Sequence, residues 1–499
     1  MSSVPIRPPH SSPSAADRRL SRREWCRLSA AAVAYTALGR ISRGAESSVP
    51  AAAPAIRTGR RRPNILMLVA DDHRHDVIGS LGDGSVQTPY LDRLAAQGAA
   101  CLRAHDMGGN FPAVCVPTRG ALMTGCQVFR ALADQTGGVI ASDRPTIGQH
   151  LRSEGYNTHI VGKWHNDLPS LHRSFEGGEG IFLRGLTTDQ YAMRVHHFDP
   201  TGLYSSKTVY HTHQFSTDFL CDHAVEYLNG YRSDEPFFLY TGFTAPHDPR
   251  TPPKEFAARY HPDRIALPAN YSSVHPFDNG EMHIRDEDLA PHPRTPDRVR
   301  RELADYYGMV SSVDAGVGRI LAALEASGRA EDTIVVYTGD HGIALGQHGL
   351  MGKQNLYDHS VRVPMIVRGP GVRPGTRSEA LVYSWDLFPT LCALAGINTP
   401  ADIDARSFMQ VLKGEEVAHR TEVGALYRDC QRMIKDERWK LIEYAVGGVR
   451  HSQLFDLAGD PWEKNNLACD AAAAGELASM RERLGRWQRS VGDRLALAA

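Results

Sequence analysis

The sequence predicts an α/β protein with a large mixed, mostly parallel sheet flanked by helices, followed by a smaller C-terminal antiparallel sheet plus helix. Three observations carry this reading. Apolar runs at 64–70, 236–245 and 333–338 are continuous rather than alternating, the pattern of strands buried on both faces. Each run leads into acid or histidine, at Asp71-Asp72, His247 and Asp340-His341, and the carboxyl ends of parallel strands are where such proteins place ligands. Beyond Gly396-Ile397-Asn398-Thr399-Pro400 the pattern shifts to short strand-like runs at 423–427, 432–435 and 439–444, with Gly447-Gly448 as a turn. An Ala-rich helical pattern over 471–491 closes the chain.

Composition bounds the function. With 499 residues, 42% of them hydrophobic, the chain can bury a large core and has room for two or three domains. A formal net charge of -1 provides no whole-molecule field for nucleic acid or an acidic membrane, so any preference for anions must be local. The eight cysteines show no Cys-x-x-Cys pair and no zinc-finger spacing, and imply no disulfide framework.

Residues 1–62 stand apart. Ser21-Arg22-Arg23-Glu24-Trp25-Cys26-Arg27 precedes a weakly apolar run at 28–38 that is too short to cross a bilayer, so no transmembrane segment is expected. The segment resembles a twin-arginine signal, with Trp25-Cys26 where Phe-Leu is usual; a disordered basic tail is the other reading. The resemblance implies the twin-arginine export machinery as a partner and a bacterial protein that is periplasmic or extracellular. The division expected is 1–62 for export signal and basic linker, 63–396 for a catalytic domain, and 397–499 for a C-terminal α+β subdomain.

The chemistry-bearing residues cluster in short motifs. In Cys115-Val116-Pro117-Thr118-Arg119, Pro117 suits a first helical turn, where its missing N–H costs nothing. Cys115 then lies at the positive end of a helix dipole, which favours an anion. Asp71, Asp72 and Asp340 follow two strand runs, and three carboxylates around one point would be costly without a cation. Lys163 and His165 lie two apart on a strand-like segment and so share a side. His247 ends a strand run, and Lys353 sits in a Gly-rich loop. Plainer readings exist for each: a buried cysteine, a helix-capping aspartate pair, surface decoration, a strand-edge histidine and a solvated lysine.

The Cys-x-Pro-x-Arg segment resembles the signature of the type I sulfatases of the alkaline phosphatase superfamily, and six segments from 63 to about 468 follow that family's order. The resemblance implies an alkaline phosphatase-like fold in a bacterial, arylsulfatase-like exported enzyme. A formylglycine-generating or equivalent maturing enzyme would oxidise Cys115 to formylglycine, whose hydrate can accept sulfate and then expel it. Thr118 departs from the Ser or Ala usual in the family but keeps a hydroxyl.

By the same resemblance, Pro63-Asn64-Ile65 and Asp71-Asp72 open the domain, and residues 88–94 form its first helix. Asp71, Asp72, Asp340, His341 and residue 115 hold one divalent cation, with calcium expected, although His341 stands where many relatives have Asn and histidine suits softer ions. Arg119 holds the diol and the metal. Lys163, Lys353 and His247 bind sulfate, and His165 meets the nucleophile. The implied substrate is a sulfated carbohydrate, with choline sulfate or an aryl sulfate as the runner-up, and the polar loop at 177–216 would line a subsite or solvate an insertion. Two other classes remain: a phosphonate monoester or phosphodiester hydrolase of the same fold, and a non-catalytic anion-binding protein whose Cys115 is never converted.

Overall fold

The apolar run at 64–70 forms strand β1 (Asn64–Asp71), buried along its whole length, in a computed structural model that describes residues 61–82, 84–134 and 138–495. The predicted export signal, within residues 1–60, lies outside the described residues. The further strands are β2 (Ala99–His105), β3 (Gly108–Gly109), β4 (Asn157–Lys163), β5 (Gly177–Phe182), β6 (Arg194–His196), β7 (Val209–His211) and β8 (Phe237–Pro246). They continue with β9 (Thr333–Gly339), β10 (Arg362–Val363), β11 (Met365–Arg368), β12 (Thr376–Tyr383), β13 (Val423–Tyr427), β14 (Gln431–Lys435), β15 (Trp439–Val446) and β16 (Val449–Asp456). The longer helices are α1 (Pro89–Gln97), α2 (Cys115–Thr124), α3 (Ser216–Gly230), α4 (Pro296–Ala326), α5 (Leu387–Ala395) and α6 (Ala474–Val491).

The large sheet runs β10-β2-β11-β9-β1-β8-β4-β5-β6-β7, with β12 also pairing β2. Its centre, β9-β1-β8-β4-β5, is parallel, while β11 enters antiparallel between β9 and β2. Alternation along β1 explains why both sides are covered. Ile65, Met67 and Val69 pack with α2 and α5, whereas Leu66, Leu68 and Ala70 pack with α1, α3 and α4. Strands with two apolar faces need two helical layers, and the unbroken hydrophobic run follows from that.

The C-terminal runs form the expected antiparallel sheet, in the order β16-β15-β14-β13, and Gly447-Gly448 turns between β15 and β16. Its last neighbour is β3, which comes from early in the chain and pairs parallel with β13. Gly108 there has φ 68°, and a side chain would come within 2.1 Å of the Leu426 carbonyl oxygen. The closing helix α6 begins after a short 3₁₀ turn at Ala471–Ala473 and covers this sheet with Met480, Leu484 and Trp487.

One expectation changes. The segment at 177–216 is not a loop: β5, β6 and β7 extend the large sheet, and Ile181, Phe182, Met193 and Val195 are buried. The strands are short and set among polar residues, so no periodicity exposed them.

Asp314 of α4 is 1% exposed and accepts hydrogen bonds from the N–H groups of Tyr90 (3.1 Å) and Leu91 (2.7 Å) at the start of α1. Burial pushes its carboxyl from 3.8 up to about 7, against the pull of those N–H groups. A folded pKa above the unfolded one contributes stability at low pH that is lost as pH rises through the folded value. Asp314→Asn keeps an acceptor without the charge, so its stability relative to the wild type should rise between about pH 4 and pH 8. Urea midpoints at both pH values measure this, and an unchanged difference would contradict the assignment.

Candidate functional site

Parallel pairing brings four strand ends to one edge. Asp71 lies in register with Pro246 of β8 and Ala70 with Gly339 of β9, and the Asp340 N–H donates to the Ala70 carbonyl at 3.1 Å. Asp71 and Asp72, Asp340 and His341, and His247 therefore meet because each follows a neighbouring strand. On the far side of β8, Gly162 of β4 faces Gly242, so close that a side chain on Gly162 would come within 2.1 Å of the Gly242 carbonyl oxygen. Lys163 follows at the end of β4.

Two residues turn out of these strands with left-handed backbone, Asp72 at φ 65° and His165 at φ 68°. Such strain in non-glycine residues persists only where the surroundings hold it. The Tyr306 hydroxyl does so for Asp72, donating to its carbonyl at 2.6 Å. His165 lies beyond β4, so the strand alternation expected to align it with Lys163 does not operate; its turned backbone brings the ring to Cys115. The Cys115 Sγ and His165 Nδ1 are 3.0 Å apart.

Cys115 opens α2, and Arg119 follows one turn later, wholly buried. Arg119 Nε donates to Asp340 Oδ2 at 2.8 Å, and another of its nitrogens donates to the Tyr240 hydroxyl (2.9 Å) and the Lys163 carbonyl (3.2 Å). Lys163 Nζ pairs with Asp71, and Lys353 Nζ with Asp72 Oδ1 at 2.8 Å. His247 Nε2 lies 3.8 Å from Asp72 Oδ2. All the residues singled out in the sequence thus converge on one buried cluster.

The donor set fits a cation. Asp71, Cys115, Asp340 and His341 each offer an atom within 4.8 Å of the others, and Asp72 Oδ1 lies 3.3 Å from His341 Nδ1. Asp71 Oδ1, Asp72 Oδ2 and His341 Nε2 are buried without a hydrogen-bond partner, a costly state that a divalent ion would relieve. Burial and neighbouring charge move the ionisable groups of the cluster away from their usual ranges. Burial raises Asp71 to about 7 in spite of Lys163 beside it. Burial opposes charge on His341, yet Asp340, Asp72 and the hydrogen bond to Cys115 together outweigh it and lift the imidazole to about 10. At Cys115 burial favours the thiol, but His165, Lys163 and Lys353 together bring it well below the usual range.

Several supporting residues carry no motif signal. Tyr240 holds Arg119 from the middle of an apolar run, where a tyrosine reads as core. Gln354, which had no sequence-based role, accepts from the Lys353 N–H at 3.0 Å and donates to Asp286 at 2.8 Å, and so fixes the lysine loop. Asp248 lies 3.3 Å from His247 Nδ1 and pairs with Arg285. His348, the other polar neighbour of Lys353 in sequence, instead stacks on Tyr357 with ring centroids 3.9 Å apart.

A family model described as sulfatase matches residues 63–397, and one described as N-sulphoglucosamine sulphohydrolase, C-terminal, matches residues 346–490. An ulvan-active sulfatase from Formosa agariphila is 26% identical over 424 residues, 81% of this chain and 77% of its own length. An N-acetylglucosamine-6-O-sulfatase from Bacteroides thetaiotaomicron is 25% identical, with 87% of each chain covered. The solved structure of a phosphonate monoester hydrolase from Silicibacter pomeroyi superposes with a TM-score of 0.68 at 25% identity, covering 87% of this chain and 96% of that one.

A divalent cation added after chelation should raise the melting temperature, because it binds a cluster that exists only in the folded state. Asp340→Asn should remove most of that rise. Scanning fluorimetry with and without the ion reads this independently of turnover, and an ion-dependent shift of equal size in the variant would show that the ion binds elsewhere.

Proposed function

This chain belongs to the sulfatase family, and we propose that it hydrolyses the sulfate monoester of a sulfated carbohydrate, using a formylglycine made from Cys115 and a divalent ion, calcium. The observation that carries this reading is the placement of Cys115 Sγ at the opening of α2, 3.0 Å from His165 and within 4.8 Å of ligand atoms of Asp71, Asp340 and His341. A cation held by Asp71, Asp72, Asp340, His341 and residue 115 would neutralise the buried carboxylates and favour an ionised oxygen at residue 115. Conversion of Cys115 by a maturing enzyme would supply an aldehyde whose hydrate has one hydroxyl to take sulfate and another to release it.

The chain's own residues divide the remaining work. Lys163, Lys353 and His247, which lie against Asp71 and Asp72, would hold the sulfate oxygens, with charge aimed where it grows in the transition state. Arg119 fixes Asp340 and orients residue 115 from one turn below. His247 or Lys353 gives a proton to the leaving alcohol. Burial lowers the pKa of His165, so the ring is neutral near pH 7 and can accept the proton of the remaining hydroxyl.

The names of the two sulfatase relatives support a sugar as the organic part. Several polar residues in and just before the 177–216 segment are occupied within the fold. Arg173 donates to the Ala141 carbonyl at 3.0 Å, His196 meets Thr208 at 2.9 Å, and His197 meets Glu179 at 2.8 Å. Arg184 is exposed, and it adjoins Gly185, whose backbone carbonyl accepts from Lys163. It is the residue best placed to meet a substrate beyond the sulfate. The Arg22-Arg23 segment supports export by the twin-arginine machinery to the periplasm or beyond. The resemblance to a phosphonate monoester hydrolase favours a second reading, phosphonate or phosphate diester hydrolysis in the same pocket.

Made alongside a formylglycine-generating enzyme, the peptide containing Cys115 should show the mass change of thiol replaced by aldehyde. The matured protein should turn over sulfated saccharides faster than phosphate diesters; the reverse order would favour the second reading, and an active protein with unmodified Cys115 would sink the mechanism. Lys353→Ala should lower kcat/KM by about 10²-fold. His165→Ala should leave attack possible but slow sulfate release, giving a burst of one alcohol per enzyme and a sulfated residue 115 in the trapped protein. A folded, aldehyde-bearing variant with neither burst nor adduct would move His165 to attack or binding.

A further inference from the structure

Between β8 and α4 the chain runs beside the nucleophile pocket, and three consecutive residues there, Arg285, Asp286 and Glu287, each hold the support of a pocket residue. Arg285 Nη1 donates to Asp248 Oδ1 at 3.1 Å, and its other terminal nitrogen pairs with Asp248 Oδ2. Asp248 in turn stands behind His247, whose Nδ1 donates to the Asp248 carbonyl at 2.8 Å and lies 3.3 Å from Oδ1. Arg285 Nη1 also donates to Asp286 Oδ1 at 2.9 Å, while Asp286 Oδ2 accepts from Gln354 Nε2 at 2.8 Å. Gln354 Oε1 accepts the N–H of Lys353 at 3.0 Å, and Gln354 Nε2 also donates at 3.2 Å to the carbonyl of Pro112, just ahead of Cys115. Glu287 grips the lysine loop from its other side, accepting from the N–H groups of Met351 (2.9 Å) and Gly352 (2.8 Å). A side chain at Gly352 would come within 2.9 Å of Glu287 Oε1, so glycine there lets the carboxylate reach the backbone.

The path is therefore continuous from His247 through Asp248, Arg285, Asp286 and Gln354 to Lys353. Every member is buried except Arg285, whose side chain is 45% exposed. Asp248 and Asp286 are carboxylates set behind the two groups that an anion must reach. Without a cation between them they would draw the His247 ring and the Lys353 ammonium away from the pocket and repel a bound anion. One guanidinium answers both, because its planar fork presents paired donors to Asp248 and a further donor to Asp286. A lysine ammonium is a single point charge on a flexible stem and lacks that geometry. Arg250, the other arginine near Asp248, is held by Glu302 at 2.8 Å.

We propose that Arg285 is a positioning residue for the reaction: it locks His247 and Lys353 into one frame with the nucleophile helix and offsets the carboxylates behind them. The inference rests on the reading of His247 and Lys353 as groups that hold the transferred anion. It makes those two groups a unit. Loss of Arg285 loosens both, and loss of Lys353 removes part of what Arg285 serves.

The test compares the matured parent, Arg285→Ala, Lys353→Ala and the double variant on glucose 6-sulfate, nitrophenyl sulfate and nitrophenyl phenylphosphonate. Arg285→Ala should lower kcat/KM by about tenfold on whichever ester is turned over, with kcat falling as well as KM rising. In the Lys353→Ala background the same change should cost about threefold or less, because residues in one hydrogen-bonded network are not additive. A general loosening of the fold would add in full. Equal costs in the two backgrounds would therefore overturn the proposal, as would parental kinetics in Arg285→Ala. If the parent turns over none of these esters, the reading of the function fails, and crystal structures of the parent and Arg285→Ala decide the positioning. Displacement of the His247 ring or the Lys353 side chain relative to Cys115 sustains it, and parental positions for both overturn it. Should Arg285→Ala fail to fold, Arg285→Lys, which keeps the charge without the fork, takes its place in both measurements.

Discussion

Three buried carboxylates, Asp71, Asp72 and Asp340, meet at one sheet edge, and much of the architecture answers their charge. Carboxylates so placed are unstable in a low-dielectric interior unless cations or protons accompany them. Arg119, Lys163 and Lys353 come from three different elements to pair with them. His341 is driven to carry a proton, and three ligand atoms remain without partners. The result is a cluster of strong local field inside a chain of almost zero net charge. A tetrahedral anion and a divalent cation are the ligands that such a field accepts side by side.

Holding that cluster together requires the two sheets to share a boundary. The start of α2 is reached from β2 through Gly108 and Gly109, and these two residues form the edge strand of the C-terminal sheet. A side chain at Gly109 would come within 2.4 Å of the Pro117 ring, so the glycine lets the sheet edge lie directly against the first turn of the helix that carries residue 115. The C-terminal sheet also sends Lys435 and Lys440 to Asp358, just ahead of β10. It therefore acts as a buttress for the nucleophile helix as well as a lid on its own apolar face.

The sequence by itself determined which residues take part and which strands are central. Continuous apolar runs ending in acid or histidine can satisfy both faces only in the middle of a covered parallel sheet, so β1, β8 and β9 and the identity of Asp71, Asp72, Asp340, His341 and His247 were legible. Cys115, Arg119, Lys163, His165 and Lys353 were legible through the resemblance of their segments to the sulfatase family's motifs. What only tertiary structure decided was the order of neighbours and the support behind each side chain. Nothing local states that β11 enters antiparallel, that β5 to β7 extend the sheet from a segment read as a loop, or that two early glycines complete a sheet built from the last hundred residues. Tyr240, Gln354 and Asp286 likewise acquire their roles from partners far away in sequence, because hydrogen bonding and charge balance depend on distance in space, while periodicity records only which face of an element is buried.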